Sequence, residues 1–284
     1  MKTNGNNSFK IMWEQVQETV NYIKKATSFS PDYGVILGSG LGSFTEDIQI
    51  THVLPYAAIP NFPISTVQGH QGALVFGTIG AKKVVAMQGR FHYYEGYSMT
   101  QVTFPVRVMK ALGVSKLIVS NASGGVNPQY QVGSIVLLTD HINMMPEHPL
   151  RGVNEERFGP RFVNMSAPYN RTLIARAHAI AQQAGFPVHE GIYLALQGPT
   201  FETLAEYRMV KILGADCVGM STVPEVIVAR HMDMEVFGLS VITDMGNEES
   251  IEEVNHAEVL KAAQKAEPQV RLLIRELIQT DTLE

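Results

Sequence analysis

Met220-Ser221-Thr222-Val223-Pro224-Glu225-Val226 decides the reading of this chain. A short apolar run at 217–218 enters a pair of hydroxyls, and Pro224 then stands where it suits the first turn of a helix. Upstream, Gly198-Pro199-Thr200-Phe201-Glu202 leaves the apolar run at 192–196 in a similar way, exposing a ring and a carboxylate at a strand end. Strand, loop and helix start recurring in this order are how an α/β fold builds a pocket at the carboxyl ends of its strands. A carboxylate, a hydroxyl and a helix start brought together suit a flat polar ligand beside an anion.

Outward from these runs, the pattern repeats. Apolar runs at 35–37, 117–119, 135–138 and 236–242 alternate with helical spacing at 103–112, 169–184, 203–213 and 224–232. Residues 74–79 and 84–87 read as a hairpin. Asn255 is placed to cap a last helix, in which Pro268 forces a kink or a restart. The predicted fold is α/β, a single domain with a mixed, mainly parallel central β-sheet flanked by helices on both faces. Nothing resembling a linker or repeat divides residues 8–284. Residues 1–7, rich in Asn and Gly, read as a disordered tail ahead of helical spacing that starts at Ile11.

Composition narrows the function. With 284 residues, 45% of them hydrophobic and 17% charged, a large core can be buried, and the 13 methionines suggest further surface covered between subunits. A net charge of −5 without a Lys/Arg cluster gives nucleic acid no footing. Cys217 is the only cysteine, which excludes an internal disulfide and fits a reducing compartment. The polar start MKTNGNNSFK and the lack of any apolar stretch near membrane-spanning length predict a cytoplasmic protein with no membrane partner.

The anion half of the site reads from strand ends. Gly38-Ser39-Gly40-Leu41-Gly42 follows a strand, and its backbone can approach a ligand and offer free N–H groups. A dinucleotide fingerprint fails, because Ser43 stands at its third glycine, and a Walker-type ending is missing. An ordinary tight turn remains the rival. Arg90 and His92 alternate on an extended segment, and the arginine fork matches phosphate oxygens, with a salt bridge as the competing role. Replacing Arg90 by Ala should impair phosphate use with little loss of folding. His70 stands in a Gly-His-Gln-Gly turn, Ala122 in Asn121-Ala122-Ser123-Gly124-Gly125, and Ser221 near a helix N-terminus, where it or Thr222 would otherwise serve only as a cap. Metal-ligand spacing is missing, with Glu147-His148 standing alone.

In this order, Gly-Ser-Gly-Leu-Gly, Gly89-Arg90-Phe91-His92-Tyr93-Tyr94-Glu95-Gly96-Tyr97 and Gly-Met-Ser-Thr-Val-Pro-Glu-Val resemble the trimeric purine nucleoside phosphorylase family, which includes the methylthioadenosine phosphorylases. The likeness runs from about Gly34 to His256. It implies a homotrimer that needs no cofactor, inorganic phosphate being a co-substrate. It implies phosphate held by Ser39, His70, Arg90, His92, the Ala122 amide and Ser221. Tyr94 and Met220 would line the ribose, and His256 would meet its 5′-hydroxyl. Phe201 and Glu202 would contact the purine, with Asp244 at its N7 and six-position. Phe162 would be lent to the neighbouring subunit's site.

No nucleophilic side chain is required, because phosphate attacks the anomeric carbon itself through an oxocarbenium-like transition state. His92, Glu202 and Asp244 are the catalytic candidates. Asp244 departs from the family's usual Asn in the 6-oxopurine enzymes; Thr243-Asp244 resembles the 6-aminopurine branch, whereas Glu202 and His256 resemble the nucleoside branch. An ionised carboxylate only accepts hydrogen bonds and suits an amino group, whereas a protonated one can donate as an amide does. Asp244 turned aside to a hydroxyl, with unchanged specificity, stays open. So do methylthioadenosine phosphorolysis, which needs an apolar 5′ pocket, and a non-catalytic nucleoside-binding protein, which needs no phosphate set.

Overall fold

The computed structural model describes residues 5–66, 71–246 and 255–281. Its strands are β1 (Tyr33–Ile36), β2 (Gln49–Pro55), β3 (Ala73–Ile79), β4 (Lys82–Gln88), β5 (Lys116–Gly125), β6 (Ile135–Asn143), β7 (His189–Ala195), β8 (Cys217–Gly219) and β9 (Glu235–Met245). Helices are α1 (Gly5–Thr27), α2 (Met99–Val102), α3 (Phe104–Leu112), α4 (Arg171–Ala184), α5 (Leu204–Ile212), α6 (Val223–His231) and α7 (His256–Gln279).

The strands join one mixed sheet in the order β2-β3-β4-β1-β5-β8-β7-β6-β9, and β5 pairs with β9 as well. β1 lies parallel to β4 and β5, and β5 lies parallel to β9. The β3–β4 hairpin is antiparallel, as the sequence predicts, and turns at Gly80 with φ +57°. β1 is buried along its whole length and β9 along most of it, the mark of strands covered on both faces. Helices α1, α3 and α6 pack as one group, and α4 with α7 as another.

Local chemistry explains the boundaries. Asn170 accepts from the Leu173 N–H to start α4, and Gly185, at φ +78°, ends it. Thr203 and Glu206 form a reciprocal capping box on α5. Asn255 caps α7 through the Glu258 N–H, as expected, and the helix then runs through Pro268 as one segment without the restart that proline predicts. Burial of Val259, Ala263, Ala266, Val270 and Leu273 along one stripe holds α7 across that break.

Some boundaries differ from expectation. The disordered tail foreseen for residues 1–7 is corrected at Gly5, where α1 begins; once a helix is nucleated and packed, extending it by a turn is cheap. Residues 1–4 lie outside the described part. β2 has no counterpart in the reading above, because it is an exposed strand without an apolar face. β5 continues past Ser120-Asn121 to Gly125, its polar and small residues held by β9 and β8. The helix expected over 103–112 is α3, and a separate single turn, α2, precedes it across Thr103.

Candidate active site

The strand ends converge. β1 delivers Gly38 and Ser39, β4 delivers Arg90 and His92, and β5 carries Asn121 to Gly124. The loop after β7 supplies Phe201 and Glu202, β8 leads into Met220 and Ser221, and β9 ends with Thr243 and Asp244. All of them line one cavity of about 320 Å³, together with Tyr94, Ala122 and His256 at the start of α7. Of the expected site residues within the described part, Phe162 alone falls elsewhere. His70 lies outside the described residues. Phe162 is 89% exposed and lines a separate hollow with His141, His148 and Arg161.

Arg90 is a buried ion-pair partner. Its Nε and Nη2 donate to the Glu225 carboxylate at 3.2 and 2.6 Å, and Nη1 donates to the Ser120 carbonyl at 2.5 Å. The salt bridge weighed as its competing role therefore exists, but inside the protein, and it leaves the side chain on the cavity wall. Two parallel bonds from a planar fork fix orientation as well as charge. Glu225 was legible: an acid within the otherwise apolar Val-Pro-Glu-Val-Ile-Val turn of α6 requires a partner once buried.

His92 is buried, its ring stacked on Tyr94 at a centroid distance of 4.7 Å, and its Nδ1 is 3.0 Å from Glu95 Oε1. Burial lowers the His92 pKa against the pull of Glu95. Burial also opposes ionisation of Glu95, yet hydrogen bonds from His92 and Thr66 outweigh it and hold this carboxyl at about 2. The carboxylate accepts the Nδ1 proton, so Nε2 becomes the acceptor nitrogen of a neutral ring.

Ser221 sits on a strained turn. Thr222 has φ +69° and ψ −57°, rare for a β-branched residue, and the Val223 N–H closes a three-residue turn on the Ser221 carbonyl at 2.7 Å. The Thr222 hydroxyl does not cap α6. It accepts from Asn121 Nδ2 at 2.9 Å, while Ser240 donates to Asn121 Oδ1 at 2.6 Å. Nothing in the sequence marks this hold. On the opposite side Gly40, at φ +76°, lets the loop lie against α7: a β-carbon there would stand 2.7 Å from that of Ala263. Arg271 of α7 then binds Ser43, Glu46 and Asp47 just beyond the loop.

At the other end, Glu202 is pushed up to about 7, by burial first and then by the charges of Asp244 and Glu206. Asp244 is raised by burial and pulled back by two hydroxyls, Tyr207 to Oδ2 and Thr243 to Oδ1, each at 3.0 Å. Asp244 thus meets neighbouring hydroxyls yet still lines the cavity. Among the described residues no cluster of His, Cys, Asp or Glu is placed to hold a metal ion.

A cationic, hydroxyl-lined end and an aromatic, carboxylate-lined end in one cavity define an α/β enzyme site for an anion and a flat heterocycle. Residues 32–279 match the model of the phosphorylase superfamily. The chain belongs to that family, among its purine nucleoside phosphorylases. It is 50% identical over 261 residues to the purine nucleoside phosphorylase of Mus musculus, covering 89% of this chain and 90% of the relative. It is 47% identical over 263 residues to purine nucleoside phosphorylase 1 of Geobacillus stearothermophilus, covering 93% and 96%. The solved Schistosoma mansoni purine nucleoside phosphorylase in complex with inosine superposes with a TM-score of 0.91 at 42% identity, over 95% of this chain and 98% of that one.

Proposed function

We propose that the protein catalyses phosphorolysis of purine nucleosides, releasing the free base and a pentose 1-phosphate. One observation carries the reading: anion donors and base-reading carboxylates line the same cavity, with Tyr94, Met220 and His256. Phosphate lies against Ser39, Arg90, His92, the Ala122 amide and Ser221, with His70 the remaining member of the set. Arg90 is already oriented by Glu225, so little reorganisation accompanies the reaction. Neutral His92 accepts a phosphate hydroxyl proton at Nε2. An oxygen of the positioned phosphate bonds to the anomeric carbon as the glycosidic bond breaks, and the bonding pair leaves with the purine.

Glu202 and Asp244 meet the purine edge and Phe201 its ring, while His256 takes the 5′-hydroxyl. A polar imidazole on that wall favours a 5′-hydroxyl over a thiomethyl group. No cofactor takes part. The proposed assembly is a homotrimer in which Phe162 enters the neighbour's site; its exposure of 89% on the single chain supports that role. A cytoplasmic location agrees with the lone buried cysteine, and among the described residues no helix is long and apolar enough to cross a membrane.

The test is base release from inosine, guanosine and adenosine by purified protein, with and without phosphate. Phosphate-dependent release is the expected result. No release from any of the three overturns the reading.

A further inference from the structure

The two carboxylates at the base end are not equivalent. Asp244 has both oxygens held by donors, Tyr207 Oη and Thr243 Oγ1, each at 3.0 Å. Glu202, on the loop before α5, accepts no side-chain hydrogen bond among the described residues and faces the charges of Asp244 and Glu206. Tyr207 is buried in the first turn of α5 and wedged between strand ends. A β-carbon on Gly124 would stand 3.3 Å from its hydroxyl, and one on Gly246 would stand 2.3 Å from its ring. The phenol is therefore fixed toward Asp244. Burial and the Asp244 and Glu202 charges raise its pKa, so it remains a donor.

Base chemistry gives this asymmetry a meaning. A 6-oxopurine offers a donor at N1 and an acceptor at its six-position; a 6-aminopurine offers the reverse. Two neighbouring carboxyl groups sharing one proton can match either base. With the proton on Asp244, ionised Glu202 accepts from N1–H and the pair reads the oxo edge. With it on Glu202, the acid donates to N1 and ionised Asp244 accepts from the amino group. Two hydroxyl donors on Asp244, against only its own backbone N–H on the Glu202 carboxylate among the described residues, weight the second arrangement.

We propose, resting on the phosphorolysis reading above, that Tyr207 is a positioning residue for base choice: it holds Asp244 as an acceptor-only carboxylate, leaves the shared proton on Glu202, and so admits 6-aminopurine nucleosides as well as 6-oxopurine ones. The groups facing the pair are Glu206 and Tyr207 from α5 and Thr243 from β9, and His256 from α7 lines the same cavity.

The test measures kcat/KM for adenosine and inosine at saturating phosphate in the wild type, Tyr207→Phe, Asp244→Asn and the double variant. Losing one hydrogen bond to a charged group should lower the adenosine-to-inosine ratio about tenfold in Tyr207→Phe. In the Asp244→Asn background the same change should move the ratio by less than about twofold, because the effect runs through Asp244. An unmoved ratio in Tyr207→Phe, or an equal shift with and without Asp244, overturns the proposal. Should the variant not fold, the wild type still decides. Either base needs one proton on the pair, on Glu202 for adenosine and on Asp244 for inosine. Both rates should therefore fall together as pH rises through about 7 and the ratio should stay level, while the titration of phosphate, common to both substrates, cancels. A ratio that changes severalfold across this range overturns the proposal, as does an enzyme active on inosine that releases no adenine. Wild-type protein inactive on both nucleosides with phosphate instead removes the phosphorolysis reading itself.

Discussion

Replacing Arg90 with Ala does more than remove an anion donor. The Arg90 and Glu225 side chains are exposed by only 1% and 3%, and two hydrogen bonds join them. Truncation leaves the Glu225 carboxylate in a dry site without its counter-charge, at a cost of about 3–5 kcal/mol. Against a total stability of about 5–15 kcal/mol, that is a large share. The sequence-based expectation of little folding loss is therefore reversed, because Arg90 is one half of a buried ion pair. Urea unfolding at fixed protein concentration measures the loss. Arg90→Met combined with Glu225→Leu should recover most of it, because an apolar pair can replace a buried ion pair at little cost, while phosphate-dependent base release stays abolished. A single variant within about 1 kcal/mol of wild type would refute the reasoning. So would a double variant no more stable than the single one.

Other perturbations probe separate parts of the site. Glu95 contributes stability above its ordinary pKa of 4.5 that is lost as pH falls toward about 2, so Glu95→Gln should flatten the acid limb of a stability–pH profile. Phe162→Ala should leave the melting temperature within about 2 °C, the side chain being exposed on the single chain, yet raise the inosine KM about tenfold if the neighbour uses it; an unchanged KM removes Phe162 from the site. Asn121→Ala releases the strained Thr222 turn and should cost about 1–3 kcal/mol while raising the phosphate KM, read by unfolding and kinetics together. A β-carbon at position 38 would lie 2.7 Å from the Asn121 Cα, so Gly38→Ala should cost about 1–3 kcal/mol in the same unfolding assay.

What could be read in advance depended on how each residue works. Ser39, Arg90, His92, Glu202, Ser221 and Asp244 announce themselves as polar groups at the ends of apolar runs, and they share the cavity. Buried strands such as β1 and β9 announce themselves by continuous apolar character. β2 does not, because an exposed edge has no side-chain period imposed by a core. Residues that hold other residues were harder to see. Glu225 had a signal in its apolar surroundings. Tyr207 and Asn121 had none, since a tyrosine at helical spacing and an asparagine at a strand end look the same whether or not they support a carboxylate or a turn. Their roles come from long-range contacts, which local pattern does not carry.

The extra pairing of β5 with β9 closes β5, β8, β7, β6 and β9 into a ring. A ring has no end strand, so no member can peel away by giving up a single ladder. The carboxyl ends carrying Asn121 to Gly124, Ser221 and Asp244 stand on this closed part, whereas the open rim among the described residues is β2, bulged between Ile50 and His52. Opening fluctuations should therefore begin at that rim and reach the cavity floor last, with amides of β5 and β9 exchanging with solvent only when the whole molecule unfolds. The floor of the pocket is rigid by topology, which leaves adjustment to ligands with the loops and helix ends around its mouth.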